Sequence, residues 1–268
     1  MGTVAIFGGG VMGETLLSGL IRSGRPAEDL VVTDRRPERL AELREKYGVR
    51  GLGNGEAAEC ADTLVLVVKP QDMSALLEEI GPHVARGNLV VSLAAGITTE
   101  FIESRLPEGR SVVRVMPNTP ALVDQGMAAV SGGRHCDARH LEEASELLRS
   151  CGRVLELAEK HLDAVTAISG SGPAYIFYVV EAMIEAGVVL GLPRVTATEL
   201  VVQTLYGAAT MIRETGQHPT VLREQVTSPG GTTAAALRQL DDHKVRAAFI
   251  TAMEAAAERS RQLASGSG

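Results

Sequence analysis

The chain is poor in the residues on which several kinds of chemistry depend. It has only three cysteines in 268 residues, Cys60, Cys136 and Cys151, far apart and without a C-x-x-C pair. Neither a disulfide framework nor a zinc site is suggested, and a reducing cytoplasm fits. Its longest basic run is Arg35-Arg36 and its formal charge is −7, which argues against a nucleic-acid surface. None of the six histidines adjoins the glycine-rich motifs described below, and no metal set or Ser-His-Asp arrangement stands out. No leader-like segment precedes the first apolar stretch, and no apolar run approaches bilayer-spanning length. The expectation is therefore an unexported protein with no membrane partner.

What is present describes an ordinary globular protein. Hydrophobic residues make up 45% and charged residues 22%, and 29 glycines suit an α/β protein with many tight turns. The length suggests about two domains. Small-molecule chemistry is the class left open.

The chain is organised around its first stretch. Val4-Ala5-Ile6-Phe7 reads as a buried strand, Gly8, Gly10 and Gly13 follow as G-x-G-x-x-G, and Leu16, Leu17 and Leu20 continue on a helical period. In a strand-turn-helix of this kind Gly8 makes the tight turn, Gly10 lets backbone approach a pyrophosphate, and Gly13 allows close packing of helix on strand. The helix N-terminus offers unpaired N–H groups and a positive dipole end to the phosphates. Leu30 to Thr33 reads as a second strand ending at Asp34-Arg35-Arg36, where such a fold meets the adenosine ribose. An acid there accepts from a free 2′-OH and favours NAD, whereas arginines neutralise a 2′-phosphate and favour NADP. The residues leave that choice open.

The alternation continues with a helix from Pro37 to Tyr47, a strand from Thr63 to Val68 running into Lys69-Pro70-Gln71, a helix from Met73 to Val84 and a strand from Leu89 to Leu93. Ligands gather outside the carboxyl ends of such strands, which places Lys69 to meet cofactor or substrate and Ala94-Ala95-Gly96 to accept a flat ring. Ser111 to Met116, Met127 to Ser131 and Val154 to Leu157 read as further strands, with a helix from about Asp137 to Cys151. A mostly parallel, doubly wound sheet follows.

Past His161 only helical patterns remain, so the expected domains are 1–161, dinucleotide-binding, and 162–268, helical. Ser169 to Pro173 opens a helix to about Leu190, and Thr196-Ala197-Thr198-Glu199 reads as a capping box starting the next. Thr227-Ser228-Pro229-Gly230-Gly231-Thr232-Thr233 precedes another helix, and reads as a second anion site of backbone N–H groups and hydroxyls. A helix from Val245 to Leu263 is apolar around much of its circumference and is either buried or docked on another chain. Together these describe a reductase or dehydrogenase acting on a small acid. Hydride transfer to a protonated C=N bond needs no strong general acid, and none is evident, so an imine substrate is attractive.

Six segments in order, IFGGGVMGETLLSGL, VVKPQ, SLAAGI, RVMPNTPA, ISGSGPAY and TSPGGTTAAAL, closely resemble the pyrroline-5-carboxylate reductases, the family that makes proline. The resemblance implies reduction of 1-pyrroline-5-carboxylate with NADPH, or NADH, by a homodimer interlocked through its helical domains and often assembled into a decamer. It implies that Gly8, Gly9, Gly10, Val11, Met12 and Gly13 hold the pyrophosphate, that Arg35 lies by the adenosine 2′ position, and that Asn54, Val68, Lys69, Pro70 and Ala95 line the cofactor. It further implies that Ser228, Gly230, Gly231 and Thr232 grip the substrate carboxylate, and that the Thr233 hydroxyl approaches the ring nitrogen as the catalytic contact. No metal is implied. Members that favour NADPH commonly have a small or polar residue where this chain has Asp34. Two other readings stay open: a β-hydroxyacid dehydrogenase-like enzyme, whose catalytic lysine is not found between Leu162 and Leu190, and a non-catalytic NADP-sensing module, which predicts decay of a substrate loop that looks intact.

Overall fold

The computed structural model describes residues 2–264. The chain forms two compact units, one built from the chain up to Ser171 and again from Ala256, the other from Gly172–Ala255. In chain order the strands of the first unit are β1 (Val4–Phe7), β2 (Leu30–Thr33), β3 (Arg50–Gly51), β4 (Thr63–Leu66), β5 (Leu89–Ser92), β6 (Ser111–Met116), β7 (Gly126–Gly132) and β8 (Gly152–Glu156). They form one sheet in the order β3-β2-β1-β4-β5-β6-β7-β8. All neighbours are parallel except β6 and β7. The exception has a simple cause. The connection Pro117–Gln125 is too short for a crossover helix, and a 3₁₀ turn over Thr119–Val123 brings the chain straight back.

Period-two side chains serve two cores. On β1, Val4 and Ile6 enter one cluster with Leu16, Leu17, Val32 and Val65, while Ala5 and Phe7 enter the other with Leu64, Leu66, Leu77 and Ile80. The strands are thus apolar on both faces, as a parallel sheet covered by helices requires. Those helices are α1 (Val11–Arg22), α2 (Pro37–Tyr47), α3 (Asn54–Cys60), α4 (Met73–Ile80), α5 (Thr99–Glu103), α6 (Ala138–Arg149) and the short α7 (Leu162–Val165). Burying an aliphatic or phenylalanine side chain stabilises by about 1.5–3 kcal/mol, so residues such as Ile6, Phe7, Leu64 and Leu66, all fully buried, hold β1 and β4 firmly where the strand order reverses. Ligands of doubly wound sheets bind at that reversal.

The second unit contains α8 (Gly172–Val189), α9 (Arg194–Thr215), α10 (Pro219–Gln225), α11 (Thr232–Asp242) and the start of α12 (Val245–Ala264). One expectation needs correction here. The helix expected to open on a capping box at Thr196 begins at Arg194 with Pro193 as its N-cap, so Thr196 lies inside it. Proline's fixed φ already suits the turn into the helix, and the Ala197 N–H is bonded to the Pro193 carbonyl at 3.0 Å. No single apolar run is of bilayer length, yet one helix is apolar on average. Glu159–Val189 is one helical stretch of 31 residues that contains an 18-residue window of mean hydropathy 1.3, enough by length and composition to cross a membrane. Glu159, Lys160, Asp163, Glu181 and Glu185 break it into short apolar runs. The most apolar part of this stretch is not buried within the chain, and Phe177 and Tyr178 on α8 are 66% and 75% exposed.

Candidate active site

The turn between β1 and α1 is held from both sides. The Gly8 N–H donates to the Thr33 carbonyl at 3.0 Å, the Gly9 N–H to Asp34 Oδ2 at 3.0 Å, and Arg39 Nε to the Gly9 carbonyl at 2.7 Å. Arg39 is itself fixed by Glu14, which also accepts from Lys46 at 2.8 Å and from the Tyr47 hydroxyl at 2.9 Å. The Lys46 hydrogen bond, with those of Arg39 and Tyr47, outweighs burial and holds the Glu14 carboxyl down at about 2. A charged clamp therefore stands behind the glycine turn. Gly10 caps α1 without a side chain, and a Cβ built on it would meet no atom within 4 Å. The space over the uncompensated N–H groups of the first turn of α1 is open, and it fits a pyrophosphate.

Beyond the turn, Gly8, Gly10, Arg35, Asn54, Val68 and Lys69 surround one cavity of about 480 Å³. Met12, Val68, Pro70 and Ala95 line a second of about 350 Å³, and Val67 and Val68 belong to both walls. Gly9 lies in the turn and Val11 and Gly13 on the first turn of α1, outside the lining of both cavities. Asn54 is brought in by β3 and α3, which the sequence reading did not find, and its amide donates to Glu79 Oε2 at 2.8 Å. β4 stops at Leu66, two residues before the expected end, so that Val67 and Val68 turn into the cavities.

Asp34 does not stand free at the ribose end. It accepts from the Arg36 N–H at 2.9 Å and Arg36 Nε at 3.1 Å, besides Gly9. Burial acts to raise its pKa, but the Arg36 side chain and backbone bonds prevail and hold the carboxyl below its ordinary range. Arg35 reaches the other way, both of its terminal nitrogens on Asp72, at 3.1 and 3.0 Å.

Two further contacts went unassigned from sequence. Asn118, in the wall of the second cavity, accepts from the Met127 N–H at 2.8 Å and donates to Ser169 Oγ at 3.1 Å. It ties the proline-stiffened loop to the π-helical turn Thr166–Gly170. Buried Arg114 and Thr99 both bond Glu159, fixing the end of the Ala94–Thr98 loop. The signal for Asn118 was its place between two prolines; nothing local marks the Glu159 pairing.

Within the second unit, Ser228, Gly230, Gly231, Thr232 and Thr233 lie together before and on the first turn of α11. Gly230 turns with φ +68°, and the Gly231 N–H donates to the Ser228 carbonyl at 3.0 Å. Gly231 is the N-cap, with no side-chain cap bond, so the first N–H groups of α11 remain available to an anion. Among the described residues no group of three or more His, Cys, Asp or Glu could hold a metal.

Comparison with known proteins decides what this arrangement belongs to. The chain is 49% identical over 98% of its length to pyrroline-5-carboxylate reductase of Corynebacterium melassecola, covering 99% of that protein. The chain belongs to the pyrroline-5-carboxylate reductase family. Its residues 159–263 match the family model described as pyrroline-5-carboxylate reductase dimerisation, and residues 3–96 match one described as NADP oxidoreductase, coenzyme F420-dependent. Among solved structures, a pyrroline-5-carboxylate reductase from Coxiella burnetii superposes with a TM-score of 0.93 at 38% identity, covering 98% of both chains. The Plasmodium falciparum pyrroline carboxylate reductase, solved with NADP bound, gives 0.88 at 30% identity, again over 98% of both chains. Family membership supports the reductase over a hydroxyacid dehydrogenase-like enzyme or a sensing module. It also explains the apolar stretch Glu159–Val189, which begins the matched dimerisation region.

Proposed function

We infer that the chain reduces the C=N bond of 1-pyrroline-5-carboxylate to give L-proline, with NADPH as reductant. The observation that carries this reading is 49% identity sustained over 98% of the chain, because so long a match includes both the glycine turn and the Thr227–Thr233 loop. Bound NADPH supplies the hydride. The residues of this chain bind and orient. The first-turn N–H groups of α1 hold the pyrophosphate, Arg35 reads the adenosine 2′-phosphate, and Met12, Val68, Pro70 and Ala95 offer an apolar seat for the nicotinamide ring. At the start of α11, backbone groups of Ser228, Gly230, Gly231 and Thr232 hold the substrate carboxylate, and the Thr233 hydroxyl meets the ring nitrogen. A protonated imine is its own electrophile, so orientation and charge placement suffice without a strong general acid.

The functional division we propose is dinucleotide binding over 1–161 and substrate binding with dimerisation over 162–268. The homodimer is supported by the exposed apolar residues of α8 and α9, more than a monomer ordinarily leaves in water. A decamer of such dimers and a cytoplasmic location, which the free Cys60, Cys136 and Cys151 suit, complete the proposal. The test is NADPH oxidation by purified protein, expected only when pyrroline-5-carboxylate is supplied, from a sample whose light scattering gives at least twice the chain mass. Turnover of a hydroxy or keto acid, with none of the imine, would overturn the assignment.

A further inference from the structure

Six charged residues stand around the adenosine end of the larger cavity: Asp34, Arg35, Arg36, Lys69, Asp72 and Glu79. Their formal charges cancel, and most are already committed. Asp34 is occupied by Gly9 and Arg36, and Glu79 by the Asn54 amide. Arg35 is the arginine left to meet a 2′-phosphate, and its planar fork is matched oxygen for nitrogen by Asp72. A phosphate would use the same two nitrogens, since carboxylate and phosphate present the same bidentate geometry to a guanidinium. The two partners differ in how closely the fold holds them. Asp72 closes a 3₁₀ turn begun by Pro70, its own N–H bonded to the Lys69 carbonyl at 2.9 Å, and its side chain is 27% exposed; that of Arg35 is 79% exposed. The acid is the fixed element and the arginine the arm.

We propose that Asp72 is a specificity-determining residue: it competes with the cofactor's 2′-phosphate for Arg35, and so keeps the preference for NADPH over NADH below what Arg35 alone would set. A 2′-phosphate must break or share the Arg35–Asp72 pair and bring its own negative charge close to a carboxylate. A 2′-hydroxyl does neither. The cost therefore falls on the phosphorylated cofactor alone. The inference rests on the reading of Arg35 as the contact to the 2′-phosphate.

Calorimetric titration of Asp72→Asn, Arg35→Ala and the double variant with NADP⁺ and NAD⁺ tests both. Exposed ion pairs are weak, so Asp72→Asn is expected to tighten NADP⁺ by about three- to fivefold, with NAD⁺ changed less than about twofold and the melting temperature preserved. In the Arg35→Ala background the same substitution should lose most of its effect, because the contested group is gone. Unchanged or weakened NADP⁺ binding in Asp72→Asn overturns the inference, as does equal tightening of both cofactors or full additivity in the double variant. If Arg35→Ala weakens NADP⁺ and NAD⁺ alike, the phosphate-reading role of Arg35 falls as well; if it discriminates while Asp72→Asn does not, only the role of Asp72 falls.

Discussion

Gly13→Ala is expected to leave a protein that is less stable and close to unable to bind NADPH. A Cβ at Gly13 would collide with the carbonyl oxygen of Gly8 and lie 3.5 Å from Ile6 Cγ2. The obstacle is backbone, so no rotamer change relieves it. Nor can Gly8 withdraw cheaply. Its N–H is bonded to Thr33, its φ is +112°, and a Cβ there would already be 2.9 Å from the Val67 carbonyl oxygen. The added methyl must push α1 off β1 or displace the turn, and overpacking of this kind costs about 1–3 kcal/mol. Either movement shifts the first-turn N–H groups from the phosphate position, so we expect NADPH affinity to fall by at least about 150-fold, comparable to losing two charge-assisted hydrogen bonds of about 1.5 kcal/mol each. Gly10→Ala provides the contrast. Open space surrounds that position, so no collision is added, and alanine for glycine at an N-cap costs about 0.5–1 kcal/mol, a small change for a chain of this size. Its melting temperature should therefore stay near that of the parent while its methyl occupies the room for the pyrophosphate. Thermal melts without cofactor and fluorescence titration with NADPH distinguish the two. A Gly13→Ala protein with parental melting temperature and affinity would show that the helix-on-strand contact does not set the turn.

The contrast between these glycines was legible in the sequence because G-x-G-x-x-G assigns each a distinct local task, and local tasks leave local marks. The same holds for β1, β2 and α2, whose apolar periods and, for α2, Pro37 at its start gave their bounds. β3 and α3 were not legible. Arg50–Gly51 is too short to alternate, and α3 offers only Ala57 and Ala58 to the core; both elements exist because β2 and its neighbours give them something to pair with and pack on. The charged network failed in a different way. Asp34 invites reading as a ribose ligand, yet the Gly9 N–H, 25 positions away, and Arg36 claim it. Arg35 likewise finds Asp72 across 37 positions. Such pairings depend on the distance between two strand ends, which no period or motif encodes. The free N–H groups at the start of α11 were legible from composition, since Gly230 and Gly231 stand directly ahead of a helical pattern and glycine has no side chain to cap it, whereas the substrate proposed for them came only through the family.

Thr233→Ala is expected to lower kcat/KM for pyrroline-5-carboxylate by roughly tenfold to a few hundredfold, the range for one hydrogen bond of about 1.5–3 kcal/mol to a charged group. Thr233 is the second residue of α11, half-buried, with Gly231 as the N-cap. Its removal leaves the turn in place, because that turn is held by main-chain bonds, Gly231 N–H to the Ser228 carbonyl at 3.0 Å and Ala235 N–H to the Gly231 carbonyl at 3.2 Å. Alanine is also the stronger helix former, so α11 is not weakened. The loss should thus appear in catalysis and not in folding. NADPH affinity measured by fluorescence titration should barely change, since the cofactor contacts proposed above lie on the strand ends and the start of α1. Thr233→Val separates shape from chemistry: valine keeps the branched outline and deletes the hydroxyl, and it should be as impaired as alanine. Thr233→Ser, which restores a hydroxyl, should recover most of the activity. A fully active Thr233→Val, or a loss of NADPH affinity as large as the loss of turnover, would overturn the assignment of the Thr233 hydroxyl to the imine nitrogen.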